Sequence, residues 1–462
     1  MTFARLRFRP VISPSAHAPP DAALKGFFAE SRSKARSKFG CQQCKSKRVK
    51  CDESRPTCQR CARQGLICSS TPPLIKWQVE TPWFSLECDT IVNRRLLQYW
   101  LESVSQMLVI EPEDNPYSFP ALEYILQSPA LVHTIQSLSA SHEQYFPAHA
   151  PIVALEERGK ALASLRKEVD QNQQPPQAFL LTVMLMTLVQ AADCNMKDYG
   201  KEHLIAARIL INGMLQNTSS LMDGEPLARL CLGMYLYGDM CTAFLLDSDK
   251  EPPINSLNMS IAIHRMGNWH HPMYGPCTEL LFILGNVGRY CRGVLVDSQQ
   301  RDFTQEAILE QQLLCWKVYP PNINLGHLYE AFRKYGLIFL YRASGRNDQF
   351  TNPDLMLRSR DSLIKCYAEE TVRRLMQIPA SSNYLNFQSL PLLAAGSELT
   401  GSRNPLRDQV RERLRAVYSL NRLPVNLHTL QLLEELWNSQ DKGNPSFWLQ
   451  RMLQKNWRLL LG

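Results

Sequence analysis

Six cysteines near the beginning of the chain constrain its fold more than any other feature. Their spacing is C-x2-C-x6-C-x6-C-x2-C-x6-C, and shifting the first three by 17 positions places them on the last three. A C-x2-C pair that opens a helix presents two sulfurs on one face, and the third cysteine of each unit returns from a loop to the same point. The two identical units therefore predict a compact sulfur-rich module. Its cysteines are Cys41, Cys44, Cys51, Cys58, Cys61 and Cys68.

Each unit supplies three thiolates, one fewer than a tetrahedral metal requires. Six sulfurs complete two tetrahedra if two metals share two of them, so the spacing predicts a binuclear cluster. Zinc is favoured because it accepts four thiolates and suits a reducing compartment. The alternative is a pair of disulfides or redox C-x-x-C motifs, which we disfavour because the sequence shows neither an oxidising compartment nor a thioredoxin-like strand pattern.

The positive charge of the chain is concentrated around these cysteines. The net charge is +8, but residues 1–70 hold 15 Lys and Arg against four acids, a net charge of +11, and the remaining 392 residues carry −3. This distribution is typical of a polyanion-binding module joined to an ordinary globular body. The two cysteine units differ in the same way. Four cations and no acid stand between the cysteines of the first unit, whereas the second has only Arg60 and Arg63.

The stretch 39–58 closely resembles the DNA-binding domain of the fungal zinc binuclear cluster transcription factors. The resemblance is carried by the cysteine spacing, the basic run before Cys51, the Cys-Asp-Glu step at Cys51 and the proline at position 56. It implies two Zn²⁺ per chain, bridged by Cys41 and Cys58. One zinc would be completed by Cys44 and Cys51, and the other by Cys61 and Cys68.

The first cysteine unit is predicted to read double-stranded DNA. Arg or Lys paired with guanine O6 and N7 is the commonest base-specific contact in the major groove. We assign that role to Lys47 and Arg48, and the resemblance points to short guanine/cytosine-rich half-sites. Lys45, Lys50 and Arg63 are assigned to phosphates, which position the module without reading sequence. The alternative for these cations is a solvated basic face.

The composition divides the chain into four parts. We predict a disordered tail at 1–30, the cluster with a basic arm at 31–70, a linker at 71–90 and an all-helical regulatory domain at 91–462. The arm alternates Arg or Lys with Ser and Ala from 31 to 38, which favours a nuclear import signal or a solvated tail equally. The acid-free start also resembles a mitochondrial transit peptide, but the DNA-binding module makes the nucleus the simpler destination.

Helical periodicity dominates the chain from about residue 91 onwards. Asn404 and Pro405 are predicted as N-cap and first residue of a helix with Leu406, Val410 and Leu414 on one face. Since strand-like alternation is scarce, we predict an all-α body of about a dozen helices. Similar stripes recur near 92–107, 129–146, 152–169, 178–192, 200–215, 225–246, 277–297, 326–343, 356–378 and 427–438.

This body resembles the fungal-specific transcription factor domain that accompanies zinc clusters. The resemblance is densest at 392–399, at Arg407, Val410, Leu414 and Tyr418, and at 430–437. It implies a regulatory domain that receives a signal from a small-molecule effector or from a partner such as the transcription machinery. No heptad pattern is sustained beyond the single stripe at 92–107, so a coiled-coil dimer is not predicted and a homodimer is left open.

The sequence contains no catalytic constellation. The segment 396–403 lacks the lysine of a phosphate-binding loop, and His142-Glu143 has no second histidine at metalloprotease spacing. Trp269-His270-His271 is interpreted as a polar loop and not as a metal site. The best membrane candidate, 178–191, is too short to span a bilayer. The cysteines outside the cluster are expected to be core thiols: Cys88, Cys194, Cys231, Cys241, Cys277, Cys291, Cys315 and Cys366.

The sequence therefore predicts a mostly α protein with a small two-zinc, six-cysteine domain and a large all-α regulatory domain. The predicted function is zinc-dependent, sequence-specific DNA binding in nuclear, RNA polymerase II-type gene regulation, without enzymatic activity. The alternative is a helical scaffold or corepressor-type interaction protein in which the cluster is only structural. The basic asymmetry of the two cysteine units favours the first of these functions.

Overall fold

The structure is a computed structural model that describes residues 40–54, 57–68, 91–143, 150–171, 176–192, 196–216, 226–246, 256–267, 269–345 and 347–462. The expected tail at 1–30, the basic arm at 31–38 and the linker at 71–90 lie outside the described residues. The boundaries predicted for these segments stay predictions.

The cluster module contains two short helices of equal length. Helix α1 spans Gln42–Ser46 and helix α2 spans Gln59–Arg63, and each is preceded by a cysteine whose sulfur caps it. The six cysteines form the buried centre, and the partly buried Val49 and Leu66 pack against them. A core of sulfur with two aliphatic side chains is too small to hold a fold together, which is the situation in which a structural metal supplies the missing stability.

The body is all-α, as predicted. Thirteen of its helices in the described residues have nine or more residues. Shorter helices are α3 (Arg94–Tyr99), α4 (Leu122–Ile125), α14 (Pro353–Leu357) and α19 (Trp448–Gln454). The longer ones are α5 (Pro129–His142), α6 (Ala150–Gln171), α7 (Pro176–Ala192), α8 (Lys201–Gln216), α9 (Pro226–Thr242), α10 (Leu257–Met266), α11 (Thr278–Val296), α12 (Phe303–Cys315), α13 (Ile323–Ser344), α15 (Arg360–Gln377), α16 (Ser389–Ser397), α17 (Pro405–Asn421) and α18 (Val425–Asp441).

Side-chain caps followed by proline define several helix starts. The Asn404 side chain accepts a hydrogen bond from the Leu406 N–H, and Pro405 occupies the first turn, as predicted. Ser128 caps α5 in the same way by accepting from the Leu131 N–H. The cap satisfies one of the free N–H groups at the helix start, and proline loses no hydrogen bond there.

The first helix of the body is interrupted where the sequence predicts a continuous one. Helix α3 ends at Tyr99, a π-helical turn follows at Trp100–Val104, and a 3-10 turn covers Ser105–Leu108. The carbonyl of Leu101 accepts hydrogen bonds from the side chains of Ser105, Gln106 and Ser118. These side chains satisfy a carbonyl that a regular α-helix would pair with a backbone N–H, and so they accommodate the wider turn.

Helices α9, α11, α13 and α15 pack in sequence and form the centre of a single apolar core. Gly336 of α13 permits one of these close approaches, since a Cβ atom there would lie 2.6 Å from a methyl carbon of Leu284. A buried ion pair between Asp239 of α9 and Arg289 of α11 crosses the same layer. Either charge alone would be costly to bury, so removal of one partner is expected to destabilise this layer.

The part of the chain that the structure describes contains no strand, only an isolated bridge between His271 and Gly275. Helix α12 was not predicted, because its apolar residues form only a weak stripe. No described helix has both the length and the apolarity that crossing a bilayer demands.

The expectation of core thiols is correct for four of the eight remaining cysteines. Cys231, Cys241, Cys277 and Cys291 are buried. Cys315 is exposed, because it is the last residue of the unpredicted helix α12, and Cys366 is only partly buried on α15. Positions 88 and 194 lie outside the described residues.

Candidate metal centre and nucleic-acid interface

The six cysteines of the module converge into two overlapping groups. One consists of Cys41, Cys44, Cys51 and Cys58, and the other of Cys41, Cys58, Cys61 and Cys68. Within each group all four sulfurs lie within 4.8 Å of one another, and every one is buried. Cys41 and Cys58 belong to both groups, so the arrangement has the form of two tetrahedra that share an edge.

The spacing of the sulfurs fits metal ligation and not disulfide bonding. The Cys41 and Cys58 sulfurs are 3.8 Å apart, as are those of Cys44 and Cys58, and Cys41 and Cys61 are separated by 3.7 Å. A disulfide requires about 2.05 Å. Sulfurs placed tetrahedrally at about 2.3 Å from one zinc lie about 3.8 Å apart. All six cysteines are free thiols.

The electrostatics of the module also favour a cation. Burial, together with hydrogen bonds to and negative charge on the neighbouring cysteines, raises the pKa of Cys44 and Cys61 far above the ordinary thiol value. Burial and the charges of Cys41 and Cys58 raise the pKa of Cys68 to about 12. Six thiolates therefore cannot be packed this closely on their own. A divalent metal removes the electrostatic cost of ionising these thiols, because it binds the thiolates and displaces their protons.

The two halves of the module repeat each other in backbone as well as in sulfur positions. Val49 N–H donates to the Cys44 carbonyl at 3.0 Å, and Leu66 N–H, 17 positions later, donates to the Cys61 carbonyl at 2.9 Å. The sulfur of each third cysteine accepts from the N–H of the first cysteine of its unit, at 3.5 Å for Cys51 and 3.4 Å for Cys68. Local backbone bonds thus bring the three sulfurs of each unit together.

Asp52 connects the two halves. Its carboxylate accepts the Gln59 N–H at 3.1 Å at the start of α2, and also the Ser54 hydroxyl. Burial opposes ionisation of Asp52, but the Ser54 and Gln59 hydrogen bonds outweigh it and lower its pKa. From the sequence alone, the Cys-Asp-Glu step was only part of a family resemblance. Its structural role is to cap the helix of the second unit from the loop of the first.

The turn after α1 is strained where the equivalent turn is relaxed. Arg48 has φ of 52°, and Gly65, its counterpart 17 positions later, has φ of 59°. Glycine adopts this left-handed conformation freely, whereas a residue with a Cβ atom pays about 1–2 kcal/mol. The first unit therefore carries a long cationic side chain at a position where the fold favours glycine. Strain of this kind is often retained at functional sites.

The predicted DNA-contacting residues are all exposed. Lys45 lies in the last turn of α1, Lys47 caps its end, and Arg48 and Lys50 follow in the turn. Arg63, the fifth predicted residue, is at the end of α2. Four exposed cations within six residues give the first unit a dense positive surface beside the rigid sulfur centre. The second unit exposes Arg63 with the uncharged Gln64 and Gly65 after it.

The Trp269-His270-His271 segment is not a polar loop at His271. That imidazole is fully buried and stacks on Tyr274 with ring centroids 4.2 Å apart. Its Nε2 donates to the Leu230 carbonyl at 3.1 Å, and its Nδ1 accepts the Met273 N–H at 3.1 Å. Burial lowers its pKa to about 3. Since both ring nitrogens are engaged, His271 has no lone pair for a metal.

Two family models match the chain. The fungal Zn(2)-Cys(6) binuclear cluster domain matches residues 39–78, and the fungal specific transcription factor domain matches residues 95–462. Together they cover most of the chain, including nearly all of the helical body.

Curated proteins match short stretches of the chain. A Zn(2)-C6 fungal-type transcription factor of Aspergillus fumigatus is 58% identical over 33 residues, which are 7% of this chain and 9% of that protein. Sterol uptake control protein 2 of Saccharomyces cerevisiae is 51% identical over 37 residues, 8% of this chain and 4% of that protein. A Zn(2)-C6 fungal-type transcription factor of Gibberella zeae is 43% identical over 42 residues, 9% and 8% of the two chains. The chain thus spans less than a tenth of these relatives. No solved structure matches it.

Proposed function

We propose that this protein binds DNA, because of the family to which its chain belongs. It is a member of the fungal transcription factors that join a Zn(2)-Cys(6) binuclear cluster to a fungal specific transcription factor domain. Its function is sequence-specific recognition of double-stranded DNA in the control of transcription. The observation that carries this proposal is the pair of sulfur groups sharing Cys41 and Cys58, with four exposed cations on the adjoining turn. The metal holds the turn rigid, and the turn presents the cations.

Two zinc ions complete the module. In the proposed assignment Cys41 and Cys58 bind both ions, and each ion is completed by two further cysteines: Cys44 and Cys51 for one, Cys61 and Cys68 for the other. The metals contribute stability and not reactivity, because all four positions around each ion are filled by sulfur. Because the module has only the cysteines, Val49 and Leu66 for a core, its folding should depend on metal.

Base reading is assigned to Lys47 and Arg48. Both side chains are exposed on the turn that leaves α1, and the strained backbone at Arg48 supports a functional reason for keeping a cation there. An Arg or Lys directed at guanine O6 and N7 discriminates against other bases by about 1–3 kcal/mol. The favoured target is therefore a short guanine/cytosine-rich half-site.

Phosphate contacts are assigned to Lys45, Lys50 and Arg63. Lys45 and Lys50 flank the proposed reading pair in sequence, and Lys45 and Arg63 lie on the two helices of the module. Phosphate contacts fix register and orientation and make affinity depend on salt. The body acts as the regulatory domain and receives an effector, a second copy of the chain or the transcription machinery. This function places the protein in the nucleus.

The decisive experiment is selection of binding sites from random DNA by the full-length protein, followed by affinity measurements on variants. Arg48→Ala should weaken binding to the selected site by about 1–3 kcal/mol and leave binding to random DNA unchanged. Lys45→Ala, the matched control, should weaken both equally and reduce the salt slope by about one unit. Enrichment of no sequence by a protein that holds two zincs would instead support a helical scaffold with a structural cluster.

A further inference from the structure

A cavity of about 100 Å³ lies inside the helical body. Its walls come from widely separated segments: the π-helical turn contributes Trp100 and Val104, and four methionines contribute flexible apolar surface. The methionines are Met107, Met184, Met234 and Met273. Because methionine is unbranched and polarisable, a wall of this composition adapts to the shape of what it encloses.

One polar side chain in the cavity wall has no hydrogen-bond partner. Asn386 is 6% exposed, and neither its amide nitrogen nor its carbonyl oxygen is paired. More than nine in ten buried polar groups in proteins are paired, so an unpaired amide at the wall of a mainly apolar cavity requires an explanation. The amide offers one side that donates and one that accepts. It is therefore suited to a single ligand group that does both.

The walls also define the size and charge of what fits. None of the described residues that line the cavity carries a charged side chain. An engineered apolar cavity of about 150 Å³ admits benzene, and this one measures about 100 Å³, so a molecule built on one ring fits if the flexible methionine side chains move outwards. An ion would have to shed its water with no charged side chain to compensate, which makes neutral molecules the favoured class.

We infer that this cavity is a binding site for a neutral, mainly apolar molecule about the size of one aromatic ring, with a hydroxyl or similar group hydrogen-bonded to the Asn386 amide. A phenolic hydroxyl would donate to the amide oxygen and accept from its nitrogen. Met107 and Leu188 are among the lining residues that are only partly buried. Occupancy would stabilise the π-helical turn in the first helical segment after the linker, and this regulatory consequence rests on the proposed function.

Gln388 provides a matched control. It is fully buried and both atoms of its amide are unpaired, like those of Asn386, but it does not line the cavity. Replacing either amide with leucine removes an unsatisfied buried group, so both variants should be at least as thermally stable as the parent protein. Only the Asn386 change should alter ligand preference.

The test uses the purified full-length protein with phenol and benzene as probes, in the absence of DNA. Phenol should bind about five- to a hundredfold more tightly than benzene, the difference expected for two neutral hydrogen bonds. Asn386→Leu should abolish that preference while still binding benzene, and Gln388→Leu should retain it. Methyl NMR of protein labelled at its fifteen methionines gives a direct readout. Phenol should shift the four wall methionines and not Met356, which is 86% exposed.

Absence of saturable shifts at those four methionines would overturn the inference and indicate a cavity that holds only water. An unchanged phenol preference in Asn386→Leu would likewise overturn the role of the amide. Since neither measurement involves DNA or zinc, a failure here leaves the proposed DNA-binding function intact. A failure of DNA binding would leave the cavity result intact in the same way.

Discussion

The sulfur of Cys41 lies 3.8 Å from the sulfur of Cys58, and each of these two sulfurs also caps a helix. Cys41 accepts the Cys44 N–H and Cys58 accepts the Cys61 N–H, both at 3.4 Å. The two shared cysteines therefore occupy the same position in the two halves of the module. They connect the two sulfur groups to each other, and each of them connects its group to the helix that it caps.

Loss of a shared cysteine should cost both metals. Cys41→Ser leaves each sulfur group one thiolate short, whereas Cys68→Ser affects only one group. Since structural zinc contributes about 10 kcal/mol or more of binding free energy to folding, the first variant should hold no zinc and the second about one ion. Zinc content after dialysis against a weak chelator measures this. Cys315→Ser, an exposed cysteine on α12, should keep both ions. Two zincs in Cys41→Ser would rule out the sharing.

Removing the backbone strain at Arg48 should raise the stability of the module and weaken its binding to DNA. Arg48→Gly should stabilise the module by about 1 kcal/mol, because glycine adopts its φ of 52° without strain, and should weaken binding to the cognate site. Chelator titration and DNA affinity give the two readouts. Lys47→Gly is the control: its φ is −83°, so added chain flexibility should lower stability. Equal destabilisation by both glycine variants would contradict a strained Arg48.

The stability of the body should depend on pH through Glu157. Burial opposes its ionisation, but hydrogen bonds from His133, Lys160 and Gln136 outweigh it and lower its pKa from 4.5 to about 2. A lowered folded-state pKa contributes stability that is present above about pH 4.5 and is lost as the pH falls towards 2.

Glu157→Gln should therefore reduce the free energy of unfolding by about 2 kcal/mol at pH 7, the order expected for hydrogen bonds to a charged group. The difference from the parent protein should narrow steadily between pH 5 and pH 3 in urea titrations. Glu156→Gln, an exposed neighbour, should show no such trend. A gap that stays constant over this range would disprove the assignment to Glu157.

Replacement of Arg407 by lysine should lower the stability of the body. Its guanidinium is 2% exposed, donates twice to the Leu399 carbonyl at 3.0 and 2.8 Å, and pairs with Asp441 at 2.7 Å. Lysine keeps the charge but lacks the planar fork, so Arg407→Lys should lower the free energy of unfolding by at least about 2 kcal/mol. Denaturant unfolding measures the loss. Arg403→Lys, at an exposed position, is the control. A loss below about 0.5 kcal/mol would show that the fork is dispensable.

The cluster module was predictable because its determinants are local. Each unit of 17 residues contains all of them: three cysteines at fixed spacing, the helix that the first cysteine caps, and the backbone hydrogen bond that follows the helix. The strain at Arg48 was not predictable, because it lies in the backbone angle φ and the residue type does not reveal that angle. The helix-capping role of Asp52 was missed for a related reason: its partner, Gln59, belongs to the next repeat.

By itself the sequence determined the metal-binding spacing, the division of charge and the helical character of the body. These depend on neighbours within a few turns of chain: cysteine spacing, cap residues such as Asn404 and the period of apolar side chains. Only the tertiary structure decided that Trp100 begins a π-helical turn, that Arg407 and His271 are buried, and that Asn386 faces an apolar cavity. The physical reason is distance along the chain. Each of these features depends on contacts with other elements of the fold, 17 to 41 positions away in the hydrogen bonds of Trp100, Arg407 and His271, which local patterns do not encode.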